Sequence, residues 1–117
     1  MKDQPTRVVV LSYPNPDILA FAVNQQVCEV YRKGFHRPLR LEGKSWSAVG
    51  PAAQHLLQKL FDIQGVLEVE LTPYEVRVTK GSAFEWDVMQ VRDVVGSALV
   101  ELFGQGISFK EQGPRQF

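Results

Sequence analysis

One cysteine, two histidines and a pair of glutamates two positions apart are the residues of this chain whose types could do chemistry. A catalytic site ordinarily needs a nucleophile with its base, cooperating carboxylates, or a cluster of metal ligands. No HExxH, CxxC, GxSxG, Walker or GxGxxG pattern occurs. His36 lies in a basic stretch and His55 precedes Leu56 and Leu57. Neither has companion ligands, so solvent-facing or packing roles are expected. Cys28 is the one soft ligand, and a single thiolate cannot complete a zinc or iron–sulfur site within one chain. It reads as a small, half-buried hydrophobe. An enzyme using it as nucleophile would need a nearby base that the sequence does not reveal. Glu68 and Glu70 have the spacing of an acid–base pair, yet their alternation with apolar residues makes them the solvated side of a strand. No catalytic residue, metal ligand or cofactor is expected, and the chain reads as a non-enzyme.

Two other stretches could meet a partner. Arg32, Lys33, His36, Arg37, Arg40 and Lys44 gather with Phe35 and, just beyond, Trp46. Cations interleaved with aromatics suit an anionic or RNA-like ligand. Against that, Glu42 interrupts the run, and thirteen Lys and Arg are matched by thirteen Asp and Glu over the chain. A duplex-binding protein normally carries a basic excess, so nucleic acid is not the expected partner and a solvated loop is the simpler reading. A small anion- or RNA-binding module using residues 32–46 stands as the alternative function. The second stretch is YPNPDILAF, residues 13–21. Pro14 and Pro16 fix φ, Pro16 biases Asn15 toward extended geometry, and Asn15 or Asp17 can accept turn amides. The corner is a stiff connector that needs no catalytic explanation.

The elements that position these residues follow from periodicity. RVVVLS (7–12) is a β-branched run between prolines, a strand. In DILAFAVNQ (17–25) Leu19, Phe21 and Val23 alternate onto one face; its alanines would also suit a helix, but the short length and the preceding turn favour a second strand, and VCEVYR (27–32) is a candidate third. Residues 33–50 have no steady period and read as a long loop with a short strand near 38–42. Pro51 opens a helix whose buried stripe is Ala53, Leu56, Leu57, Leu60 and Phe61, ended by Gly65. GVLEVELTPYEVRVTKG forms a hairpin: Leu67, Val69 and Leu71, then Val76 and Val78, face the core, and Thr72-Pro73-Tyr74 make the turn. On its wet face Glu68 and Glu70 come near Arg77 and Thr79. Residues 86–104 form one helix with Val88, Val91, Val95, Ala98, Leu99 and Leu102 on its stripe and Gly104 as cap. Residues 105–117 read as a loosely attached tail. The order β-β-(β)-α-β-β-α predicts an α+β fold: a mixed or antiparallel sheet of four to five strands with two helices on one face.

At 117 residues, 44% apolar and 22% charged, the chain is expected to be a single domain with an ordered core over about 7–104. The first apolar run, about five residues and bounded by prolines, is shorter than the roughly 7–15 of a signal peptide or 20 of a membrane span, so a cytoplasmic protein without a membrane partner is expected.

YPNPDILAF resembles the T-P-N-P-x-x-L-K-F opening of the N-terminal domain of Nfu/NifU-like iron–sulfur cluster scaffold proteins. LFDIQGVLEVELTPYEVRVTK (60–80) resembles that domain's second signature, a helix end leading into a hairpin that closes on V-T-K, with a tryptophan, here Trp86, shortly after. Leu60-Phe61, Ile63, Gly65-Val66, Val76, Val78-Thr79-Lys80 and Trp86 match in order. Ala20 stands where the family favours lysine, and Gln54-His55 where it favours Ser-Pro. Nfu proteins hold their cluster through a CxxC motif in a separate C-terminal domain; this sequence contains no CxxC. The resemblance therefore implies an isolated Nfu-N-like domain, an accessory that contacts assembly or client proteins without holding iron. Its candidate contact residues are Tyr13, Asn15 and Asp17 at the corner, Tyr74 at the hairpin tip, and Arg37, Arg40 and Trp46 in the long loop.

Overall fold

A computed structural model of the chain describes residues 5–104 and 106–112. In order they form β1 (Thr6–Ser12), β2 (Ile18–Val23), β3 (Lys33–His36), α1 (Lys44–Ala48), α2 (Pro51–Phe61), β4 (Val66–Thr72), β5 (Glu75–Lys80), α3 (Trp86–Met89), α4 (Val91–Phe103) and β6 (Ile107–Gln112). The strands make one six-stranded sheet, ordered β3-β4-β5-β2-β1-β6. Neighbours are antiparallel except β1 and β6, which run parallel. The fold is α+β with a mixed sheet, of more strands than the periodicity predicts.

Register sorts the side chains into two faces. Val10 pairs with Phe21, Phe21 with Val76 and Val76 with Leu71, so all four point the same way. They share a core with Leu56, Leu57 and Leu60 of α2 and Val91, Val95 and Leu99 of α4. The opposite face carries Val9, Leu11, Ala20, Arg77 and Glu70 and has no helix over it among the described residues. The α2 stripe is buried at all five expected positions. Gly65 follows α2 at φ 103, where Phe84 ring carbons lie 2.7 Å from where a Cβ would stand, so both conformation and space require glycine.

Several expectations change. Residues 27–32 are not a strand: Val27 and Cys28 are adjacent and both buried, a pattern without period two. The third strand is instead Lys33–His36, paired with β4 inside the stretch expected to be loop. No strand occupies 38–42, where Pro38 offers no N–H to a ladder. In β4 a register shift between Val66 and Glu68 buries Val66 and turns Leu67 outward, 48% exposed. The helix over 86–104 is two helices, broken at Gln90 with φ 56 and ψ 39. The break leaves Val88 80% exposed while Met89 is buried. Gly104 closes α4 as expected, its N–H donating to the Val100 carbonyl at 2.7 Å. Within the expected tail, Ile107–Gln112 pair in parallel with Thr6–Leu11; residues 105 and 113–117 lie outside the described residues.

Candidate functional site

The corner after β1 is built from its own side chains and then locked from outside. Asn15 Oδ1 accepts the Asp17 N–H at 2.9 Å, and the Asn15 carbonyl accepts the Ile18 N–H at 3.2 Å, as the Pro-Asn-Pro-Asp sequence predicts. Lys80 ends β5 two residues after Val78, so alternation turns its side chain inward, where only 7% is exposed. A buried ammonium needs a partner. Lys80 Nζ lies 2.8 Å from Asp17 Oδ1, and the Lys80 N–H donates to the Asp17 carbonyl at 2.9 Å. Trp86 completes the lock: its indole N–H donates to the Pro16 carbonyl at 2.8 Å, and Lys80 Nζ sits 5.6 Å from its ring centre. The segments that carry the family resemblance, far apart in sequence, thus converge on one spot. Pro14, Asn15 and Pro16 remain exposed at its tip.

Beside this lock, between the sheet and the α3–α4 junction, is a cavity of about 360 Å³. Val10, Leu19 and Val91 supply apolar wall, and Trp86 joins them. Gln90 also lines it, in the left-handed backbone region that a non-glycine residue occupies at a cost of about 1–2 kcal/mol. Strain of this kind clusters where a structure has a use for it.

The open sheet face carries a second array. The Arg77 guanidinium lies 5.2 Å from the Tyr13 ring centre and 3.0 Å from Glu70 Oε1. The same oxygen is 3.2 Å from Arg32, whose guanidinium is 6.0 Å from the Tyr31 ring. Glu70 directly faces Arg77, as the hairpin alternation predicts. These pairs are solvated, so they add little to stability and their result is order along the face.

The remaining candidate residues do not join the corner. Tyr74, 54% exposed, sits at the β4–β5 turn, at the end of β5 opposite Lys80 and about 20 Å away at strand rise. Arg37 is committed internally. Its guanidinium donates to the carbonyls of Phe61 (2.8 Å) and Ile63 (2.6 Å) and to that of Val66, and it lies over the Phe61 ring. It satisfies carbonyls at the end of α2, where a cation also suits the helix dipole. Arg40 is exposed. Trp46 packs edge-on against Phe35 with ring centres 6.4 Å apart. The long loop is thus a clasp around α2 and β4 more than a cationic groove. Lys80, Trp86 and Gln90 were not among the site residues read from the sequence. For Lys80 the signal was present: E-V-R-V-T-K places a lysine on the valine side of a strand.

The residues present do not fit an iron–sulfur cluster. Cys28 is the single cysteine and is 1% exposed, with its thiol donating to the Val30 carbonyl. Burial pushes it above its ordinary pKa, away from the thiolate that a metal requires. Among the described residues no three of His, Cys, Asp and Glu are grouped as metal ligands, and no helix is long and apolar enough to cross a membrane.

Comparison with known proteins adds the context. The crystal structure of protein SAV1430 from Staphylococcus aureus superposes with a TM-score of 0.54 at 13% identity, covering 77% of this chain and 93% of that one. At that identity the likeness is one of fold. No curated protein matches the chain. The family model described as the N-terminal domain of scaffold protein Nfu/NifU matches residues 8–106, which include the corner, Lys80, Trp86 and both long helices. The chain belongs to the Nfu/NifU N-terminal family.

Proposed function

We propose that this chain is a non-enzymatic protein-interaction domain that assists iron–sulfur cluster assembly or delivery by contacting an assembly or client protein, the cluster being that protein's cargo. The observation that carries the reading is the corner itself. Asp17–Lys80 and Pro16–Trp86 hold it rigid with Pro14, Asn15 and Pro16 exposed, beside a cavity, and no metal-ligand set accompanies it among the described residues. A rigid, pre-ordered surface loses little entropy on association, which suits it to binding. Tyr13, Asn15 and Asp17 are the first contact candidates; Tyr74, Arg40 and Trp46 lie elsewhere on the surface and would serve separate contacts. The anion-binding alternative is weakened by Arg37, whose guanidinium already serves three carbonyls.

The test is affinity capture by the whole chain under anaerobic conditions, followed by identification of the captured proteins. Enrichment of identified cluster-assembly or iron–sulfur client proteins, reduced when Tyr13 and Asn15 are replaced by serine, is the expected result. Absence of any such protein overturns the iron–sulfur reading.

A further inference from the structure

The cavity beside the corner has a definite electrostatic character that narrows what could enter it. Three carboxylates, Asp87, Asp93 and Glu111, line it against one guanidinium, Arg92. Arg92 is already occupied, with Nη1 2.5 Å from Glu111 Oε2 and the guanidinium 5.0 Å from the Phe109 ring centre. Asp87 and Asp93 are exposed and, among the described residues, have no ion-pair partner. The nearby Lys80 ammonium is answered by Asp17. The first turn of α4 opens on the cavity and brings about half a positive charge, but Asp93 stands in that turn and the lining as a whole keeps an excess of negative charge. An anionic ligand is therefore disfavoured. Beneath the carboxylates the wall is apolar: Val10, Leu19, Val91 and the Trp86 indole.

An apolar floor under an acidic rim suits a group that is aliphatic along its length and cationic at its tip. Lysine and arginine are built that way: the methylene stem lies on apolar surface while the head reaches polar groups. The indole adds attraction for the head. A volume of about 360 Å³ is near the lower end of ligand pockets, roughly 300–1,000 Å³, and suits a side chain better than a large cofactor.

We infer that this cavity receives a lysine or arginine side chain flanked by apolar residues, presented by the protein partner. The inference rests on the interaction reading above and deepens it by giving the partner's contact segment a chemistry. The exposed corner offers a firm edge against which the flanking residues lie.

The test is a titration of the whole chain, followed by amide and indole NMR shifts, with three blocked tripeptides: Leu-Arg-Leu, Leu-Gln-Leu and Leu-Glu-Leu. Leu-Arg-Leu is expected to move the Trp86 indole and the Gln90 and Asp93 amides, with a Kd at least tenfold below that of Leu-Glu-Leu. The exposed double substitution Asp87→Asn with Asp93→Asn is expected to weaken Leu-Arg-Leu about tenfold and erase the preference. Equal binding of all three peptides, no binding of Leu-Arg-Leu, or shifts confined to the open sheet face overturns the inference. Capture of an assembly or client protein that the double substitution leaves unchanged also overturns it while the interaction reading stands. Binding of Leu-Arg-Leu at the cavity without capture of any such protein supports the cavity's chemistry and overturns the iron–sulfur reading.

Discussion

Lys80 and Asp17 are unequal partners, and the inequality is testable. Lys80 is 7% exposed and Asp17 27%, so removing the carboxylate strands a buried ammonium, whereas removing the ammonium leaves a carboxylate that reaches water. Asp17→Ala is expected to destabilise the fold by about 2–4 kcal/mol and Lys80→Met by about 1 kcal/mol, measured by urea unfolding. Equal losses would show that the pair behaves as an exposed ion pair. Cys28 contributes a pH dependence of known sign. Its thiol pKa is raised in the folded chain by burial, only partly offset by the Val30 contact. The unfolded chain therefore ionises this thiol first, and stability, full below about pH 8.5, falls as pH rises beyond it. Cys28→Ala should lose some packing at neutral pH yet show a shallower alkaline decline in its unfolding midpoint. At this scale the sequence was legible wherever a local rule applies: Asn15 capping its own turn, Cys28 as a packed hydrophobe, Glu70 opposite Arg77. The commitment of Arg37 to carbonyls 24, 26 and 29 residues away obeys no local rule, and basic composition alone made it look available.

Among the elements, Gln90 marks the sharpest difference between periodicity and structure. A stripe running through Val88, Val91 and Val95 implies a continuous helix, and the left-handed backbone at Gln90 interrupts it so that Val91 begins a new one. Glycine has no penalty in that region, so Gln90→Gly is expected to raise stability by about 1 kcal/mol if the break is intrinsic to the fold. A loss of that size, read from the denaturation midpoint, would mean that the glutamine side chain itself holds the junction. Helix α2 shows the opposite case. Its stripe has five core residues, a proline at its start and a glycine four residues past its end, and every one of those signals agrees. β4 lies between: its alternation holds from Val69 onward and fails at Leu67, because one extra residue in the ladder reverses every side chain before it.

Across the whole molecule the decisive pairing is β1 with β6, the two strands separated by nearly the entire chain. Phe109 lies opposite Val8 on the core face, beneath Gly96 of α4, where a Cβ would stand 3.3 Å from the Phe109 ring. Ending the chain after Gly104 removes that strand and uncovers β1 as a long apolar edge, RVVVLS, without its neighbour. The shortened chain is expected to unfold at lower denaturant and to self-associate, seen by urea titration and sedimentation; a monomer of unchanged stability would show that β6 is dispensable. The same logic separates what the sequence by itself determined from what tertiary structure decided. Periodicity and turn chemistry settled α2, β1, the corner and the β4–β5 hairpin from Val69 onward, and favoured β2, because each is specified within a dozen residues by side-chain period, proline and glycine. Family motifs included the corner, Lys80 and Trp86 without saying that they meet. Only the folded sheet shows that β5 delivers Lys80 inward under Asp17, that the α3–α4 break opens a cavity beside Trp86, and that Glu111 and Arg92 meet at its rim. Those relations join residues tens of positions apart, and no local period records them.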